Sequence, residues 1–223
     1  QIIGLAVPNG DRLTMAKEKS KYAYIFSLLL IMGPLQFIKN GLITIFHMIK
    51  LKFSKYGIIN DPSILSYAKK LGIPAIRIKT PNNKEFHEYL RSLDIDIIIN
   101  QSQNFIKKEL LGIPKIGVLN RHNALLPINR GRLTPFWVLY KGEEKTGVSI
   151  HFVEEGLDSG PIIVQEFFLV RETDSFNSLV KQNYKIAPLV MIKAIELLEK
   201  GFKDFIPNED NEATYNSTPT IKE

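Results

Sequence analysis

The sequence predicts an α/β protein built on an open, mostly parallel twisted sheet with helices on both faces. Three observations carry that expectation. From residue 57 onward, short apolar runs alternate with amphipathic stretches in a strand–helix–strand rhythm. Glycine, proline and capping residues fall at the joins between them. The 223 residues, 44% hydrophobic and 23% charged, suit one ordinary domain and exclude a disordered or fibrous chain.

Taken in order, residues 2–7 form a short apolar run that stops at Pro8-Asn9-Gly10, the pattern of a buried strand ending in a turn. Residues 22–38 then run for 17 positions without a charge, between Lys21 and Lys39, with Gly33-Pro34 interrupting them. After Pro34 the pattern becomes amphipathic, with Gln36, Asn40, Thr44 and His47 at helical spacing. Three readings of this apolar and basic segment stay open: a helical pair packed on the domain or a partner subunit, a helix lying in a membrane interface, or a membrane span. Asp61-Pro62-Ser63 opens a helix through Leu71 that Gly72 ends, and residues 74–78 read as a strand. Asn82 or Asn83 caps a helix to about Leu93, ahead of an apolar strand at 95–100. A helical turn at 107–111 leads to a strand at 116–119. Residues 132–140 read as helix, and 147–153 and 161–170 as strands. Asp174 or Ser175 caps a long helix to Lys200, and Gly201 ends it. Residues 206–223 are polar and read as a tail or linker, leaving 1–205 as the folded domain.

Composition removes several kinds of chemistry. With no cysteine, the chain has no disulfide, no thiolate nucleophile and no sulfur-ligated zinc. His47, His87, His122 and His151 show no metal-binding spacing, so no metal is expected. No GxxxxGK[ST] loop, GxGxxG fingerprint, GxSxG elbow or HExxH pair occurs, which disfavours phosphate-loop, dinucleotide, elbow-hydrolase and zincin chemistry. The formal charge of +6 is concentrated at the front. Residues 1–60 hold eight Lys/Arg against Asp11 and Glu18, while the remainder is balanced. A local basic field points to an anionic partner, or is a solvated face. Gln1 is not an initiator methionine, so the chain is expected to be a piece of a longer protein, and no signal-peptide pattern opens it.

In a parallel sheet, reactive groups gather where strands end at their carboxyl edge. Asn120 and His122 follow the strand at 116–119 and, two residues apart, share a face of extended backbone. An amide beside an imidazole can polarise a carbonyl and hold an oxyanion. Asp158, in the glycine-bracketed turn Glu155-Gly156-Leu157-Asp158-Ser159-Gly160, could orient the imidazole or accept a proton. The same three residues also read as a hydrogen-bonded loop histidine and a turn-forming aspartate, and both readings stand on spacing alone. His151 reads as a satisfied wall residue of an apolar strand, His87 as a surface residue, and His47 as part of the polar stripe.

The run Asn120-Arg121-His122-Asn123-Ala124-Leu125-Leu126-Pro127-Ile128-Asn129-Arg130-Gly131 resembles the N-x-H-x-S-L-L-P-x-x-R-G signature of formyltetrahydrofolate-dependent formyltransferases. That family includes methionyl-tRNA, glycinamide ribonucleotide and sugar N-formyltransferases. The likeness continues through Pro135-Phe136-Trp137, Gly142-Glu143, residues 146–151, residues 155–163 and Glu212-Ala213-Thr214-Tyr215. Asn123-Ala124 departs from the family's small-residue-plus-serine pair, and residues 9–56 form a longer insert than better-known members carry. The resemblance implies an opening strand and helix ahead of Ile2 and a further domain beyond the linker in the tRNA enzyme.

It also implies a cytoplasmic, Rossmann-like enzyme that moves a formyl group from N10-formyltetrahydrofolate to a primary amine. Asn120, His122 and Asp158 would be catalytic. Asn100, Gln101, Ser102, Gln103, Asn104 and Phe105, facing Glu155, Gly156 and Leu157, would hold the folate. Arg130 and Gly131 would meet the acceptor, with Arg130 equally readable as a structural ion-pair partner. A nucleotide-linked amino sugar is the acceptor expected. Methionyl-tRNA, or an inactive folate-binding or membrane-associated module, is the alternative. Membrane contact through residues 22–55 and self-association stay open.

Overall fold

Asn100, Asn120 and His122 lie on a four-stranded sheet in the second of two units, Gln1–Asn83 and Lys84–Glu223. The computed structural model describes residues 1–9, 21–102 and 104–219. Part of the apolar and basic segment (10–20) and Gln103 therefore lie outside the described residues.

The first unit pairs β1 (Leu5–Pro8) with β2 (Ala75–Ile78) in parallel, Leu5 opposite Ala75. Between them come α1 (Lys21–Met32), α2 (Pro34–Ser54) and α3 (Ile64–Lys70). Gly33 separates α1 from α2 at φ 78, where a side chain is disfavoured, and Pro34 occupies the first turn of α2. Ser63 caps α3 by accepting from the Ser66 N–H at 3.2 Å. No residue of α2 is buried. Among the described residues, no helix is long and apolar enough to cross a membrane.

The second unit runs α4 (Lys84–Arg91), β3 (Ile97–Asn100), α5 (Lys108–Leu111), β4 (Gly117–His122), β5 (Arg130–Gly131), α6 (Thr134–Tyr140), β6 (Lys145–Phe152), β7 (Ile162–Leu169), α7 (Phe176–Glu199) and β8 (Tyr215–Asn216). Its main sheet has the order β3-β4-β6-β7. β3 and β4 are parallel, but β6 is antiparallel to both β4 and β7. The main sheet is therefore mixed, and the mostly parallel pairing expected is found between β3 and β4 and in the separate pairs β1–β2 and β5–β8. Between β6 and β7 the physical reason is the short 153–161 connection, which has no room for the crossover that parallel pairing needs.

Helices do cover both faces. Ile97 and Leu119 pack with Val148 and Ile150 against Ala187, Val190 and Ala194 of α7. Ile98, whose side chain points the other way, joins Leu90 of α4 and Leu110 of α5. Those short helices cover the first half of β3 and β4. The far end of that face, beyond Asn100 and Asn120, is where the candidate residues stand. Ser175 caps α7 in a reciprocal pairing with Ser178.

Two expectations are corrected by packing. His87 is buried on α4 rather than lying on the surface. Residues 206–219 are held in place rather than trailing as a tail. β8 pairs in parallel with β5, and Ile206 exchanges backbone hydrogen bonds with Ile162. Polar residues anchor this segment, which is why its composition read as a linker.

Candidate active site

Strand register brings the candidates into one row. Asn100 on β3 is the partner of Asn120 on β4, which is opposite His151 on β6. His122 lies two residues on from Asn120, opposite Ser149. Side chains directly opposite one another share a face, so Asn120, His151 and His122 all project together. The imidazoles of His122 and His151 meet edge to face, with ring centroids 6.5 Å apart.

Asp158 closes over this row from the β6–β7 turn. It is a non-glycine residue at φ 49, a conformation that aspartate tolerates better than most. Its neighbours leave it little choice. A Cβ at Gly160 would meet the Phe152 carbonyl oxygen at 2.1 Å, and one at Gly156 would meet Ser159 Oγ at 2.2 Å. The Asp158 carboxylate accepts from the Gly131 N–H at 2.9 Å through Oδ2. The same oxygen lies 3.4 Å from His122 Nδ1, while Oδ1 lies 3.7 Å from His151 Nε2.

Proton positions follow from these partners. His122 Nε2 lies 2.7 Å from the Asn129 carbonyl oxygen, which can only accept, so Nε2 carries a proton. Asp158 Oδ2 already accepts from Gly131, so a favourable contact with His122 requires a proton on Nδ1 as well. The geometry therefore suits an imidazolium facing a carboxylate. His151 is the opposite case. Its Nδ1 donates to the Phe152 carbonyl at 2.7 Å, leaving Nε2 as a buried lone pair with no hydrogen-bond partner among the described residues. Burial is the main cause that pushes His151 down to about 4. A nearby positive charge on His122 lowers it further, and Asp158 opposes the shift. The site thus holds one ring placed to donate and one whose buried, unpartnered nitrogen can only accept while the ring is neutral.

Asn120 supplies the remaining donor. Its half-buried amide makes no hydrogen bond to any described residue, so it is available to a ligand. The loop that follows β4 is pinned from below. Ser149 Oγ donates to the Ala124 carbonyl at 2.6 Å and accepts from the Leu126 N–H, and Gln165 Nε2 donates to the Leu126 carbonyl at 2.8 Å.

The other expected positions divide. Asn100 Oδ1 accepts from the N–H and hydroxyl of Ser102, and Ser102 Oγ accepts from the Asn104 N–H. Gln101 Oε1 accepts from Arg121 Nε. These side chains shape the 100–106 loop itself, and Phe105 stands exposed on it. Glu155 reaches Lys108 at 3.5 Å, so the 155–157 turn and the start of α5 are neighbours, with Leu157 exposed. Gly131 touches Asp158 directly. Of the two readings of Arg130, the structure carries the structural one. The guanidinium is fully buried and donates to Asp210 at 2.5 Å, to the Tyr215 hydroxyl at 2.7 Å and to Asn208 at 2.8 and 2.9 Å.

Two residues were missed as site members. His151, read as a satisfied wall residue, faces Asp158 with an unpaired nitrogen; its place opposite Asn120 depends on register, which spacing does not reveal. Asn129 holds His122 through its carbonyl and is itself fixed at φ 61 by Glu143, Lys141, Asn216 and Thr214. Asparagine's tolerance of positive φ, next to Arg130-Gly131, was the available signal. No group of three or more His, Asp or Glu suited to hold a metal occurs among the described residues.

Comparison with known proteins places this arrangement. Methionyl-tRNA formyltransferase of Thermotoga maritima is 33% identical over 190 residues, which cover 79% of this chain and 60% of that protein. The chain thus spans about 60% of the length of that relative. Among solved structures, glycinamide ribonucleotide transformylase 1 of Symbiobacterium toebii superposes with a TM-score of 0.57 at 25% identity, covering 61% of this chain and 68% of that one. An N-formyltransferase from Helicobacter canadensis, in complex with folinic acid and dTDP-3-aminofucose, shares the fold at a TM-score of 0.55 and 21% identity, covering 70% and 54%. The formyl transferase family model matches residues 55–195, more than half of the chain and all of the row from Asn100 to Asp158. The chain belongs to the formyl transferase family.

Proposed function

We propose that this site transfers a formyl group from N10-formyltetrahydrofolate to a primary amine on a nucleotide-linked amino sugar. The observation that carries the transfer chemistry is the unpartnered Asn120 amide beside a His122–Asp158 pair held by backbone groups. The donor supplies an activated formyl carbonyl, and the residues present suit it. The Asn100, Gln101 and Ser102 side chains brace the loop that follows β3, and Phe105 and Leu157 stand exposed as apolar walls for the pterin. Gln103 lies outside the described residues.

The residues divide the work as follows. Asn120 donates to the formyl oxygen as the amine attacks and negative charge develops there. His122 adds its Nδ1–H, which the long 3.4 Å contact with Asp158 leaves weakly engaged. Asp158 keeps His122 charged and takes the proton that the attacking amine loses. Collapse then breaks the bond from the formyl carbon to the donor nitrogen, to which Asp158 returns that proton. His151, neutral, accepts a hydrogen bond from the incoming amine beside Asp158 Oδ1.

A charge contrast supports a small acceptor. The unit that holds the site carries 17 Lys/Arg against 20 Asp/Glu, a poor surface for RNA phosphates. Methionyl-tRNA is the second reading, supported by the relative from Thermotoga maritima and by the basic first unit, 12 Lys/Arg against three acids. Incubating the protein with formyl donor and either nucleotide-linked amino sugars or methionyl-tRNA, read by mass gain, tests both. Formylated sugar supports the first reading. Product only on tRNA, with a steep fall in binding as salt rises, overturns it in favour of the second.

A further inference from the structure

We infer that α2 is a docking helix for an anionic lipid surface, lying along the membrane rather than crossing it. Leu35, Ile38, Leu42, Ile45, Ile49 and Phe53 recur at three- and four-residue spacing and fall within about 100° of the helix circumference. All six are between 46% and 85% exposed. A water-facing helix normally buries its apolar side, and α2 leaves its apolar side exposed. Asn40 on the opposite side donates to Met32 Sδ of α1 at 3.4 Å, and Gln36 donates to Asn40 at 2.8 Å. Gln36 and Asn40 are turned toward α1, while Thr44, His47 and the whole apolar stripe face outward.

Charge identifies the occupant. Lys39 and Lys50 flank the apolar stripe on one side and Lys52 on the other, and Lys50 Nζ lies 4.5 Å above the Phe46 ring. Long basic side chains on both borders of an apolar strip let the strip enter the acyl boundary while the ammonium groups stay among headgroups. Residues 19–60 contain no Asp or Glu. A second copy of this chain would bring lysines against lysines with no acid to pair. Nucleic acid would meet the lysines but leave the six apolar side chains in water. An anionic bilayer satisfies both the charge and the apolar stripe. Three lysines within the helix, and its failure to qualify as a span, fit the interfacial orientation.

The test is cosedimentation of the full chain with vesicles of phosphatidylglycerol or of phosphatidylcholine, at low and high salt. Binding to the anionic vesicles that weakens with salt is expected. Ile38→Glu/Leu42→Glu/Ile45→Glu should abolish it. Each lysine near such a surface strengthens binding about fivefold, so Lys50→Gln/Lys52→Gln should weaken it about 25-fold. Because α2 buries no residue, both variants should keep wild-type tryptophan emission and formyl transfer, which separates loss of docking from loss of folding. No sedimentation with anionic vesicles at low salt overturns the inference. So does a concentration-dependent dimer that the triple variant dissociates without any vesicle binding, or tRNA binding that only the lysine variant loses.

Discussion

Gly131→Ala probes how the second unit holds its carboxylate. Gly131 lies at φ 103, and a Cβ there would approach the Asn216 carbonyl oxygen to 2.2 Å, where real contacts are essentially never under 3.0 Å. The backbone must therefore give by about 0.8 Å, and the obstacle is another backbone, not a flexible tip. The strained φ alone costs about 1–3 kcal/mol. More telling is the geometry. The Gly131 N–H is the donor that positions Asp158 Oδ2, so β5 moving away from β8 shifts the carboxylate relative to His122. A displacement near 1 Å in a catalytic group can cost about 100-fold in rate. Two readouts check this. Turnover should fall by about 100-fold. Trp137, the single tryptophan, donates to the Ser217 carbonyl at 2.9 Å, and its emission should shift as the 208–217 segment loosens. A variant with wild-type turnover and unshifted emission would refute the idea that the β5–β8 pairing aims Asp158.

Further substitutions separate chemistry from structure. Asn120→Ala should cut turnover by about 100- to 1,000-fold while leaving the urea midpoint unchanged, since its amide has no hydrogen-bond partner among the described residues. Arg130→Leu removes buried charge-assisted hydrogen bonds to Asp210 and Asn208 and should cost about 2–3 kcal/mol, read as a lower urea midpoint and new tryptic cleavage after Lys203. His151, held down to about 4 from 6.5, binds its proton more weakly in the native than in the unfolded state. Stability contributed by its neutral form is therefore present above pH 6.5 and lost as pH falls from 6.5 toward 4, by about 3 kcal/mol. Urea melts of wild type and His151→Gln across that range check the sign: the substitution should flatten the decline, and an unchanged slope would contradict it.

The candidate trio was suggested by local patterns, Asn120 and His122 on one strand face and Asp158 in a glycine-bracketed turn, but spacing left the reading as loop and turn residues open too, and the family resemblance chose between them. Element boundaries followed from equally local signals, such as the Ser63 and Ser175 caps and the Gly33-Pro34 break. What escaped was non-local. His151 joins the site only through the antiparallel register of β4 and β6, and an apolar strand gives no hint of which neighbour it meets. The role of 206–219 escaped because its hold depends on one buried arginine 78 residues earlier in the chain, a pairing composition cannot show. The antiparallel half of the sheet escaped because apolar runs look alike in either direction.

Single-turnover transfer of isotope-labelled formyl from N10-formyltetrahydrofolate to an acceptor amine, in wild type and His122→Ala side by side, addresses the central claim most directly. The account predicts label on the amine with wild type and a rate lowered by about 100-fold or more in the variant, with donor binding retained. Equal rates in the two proteins, or donor binding without label on any amine, would contradict it.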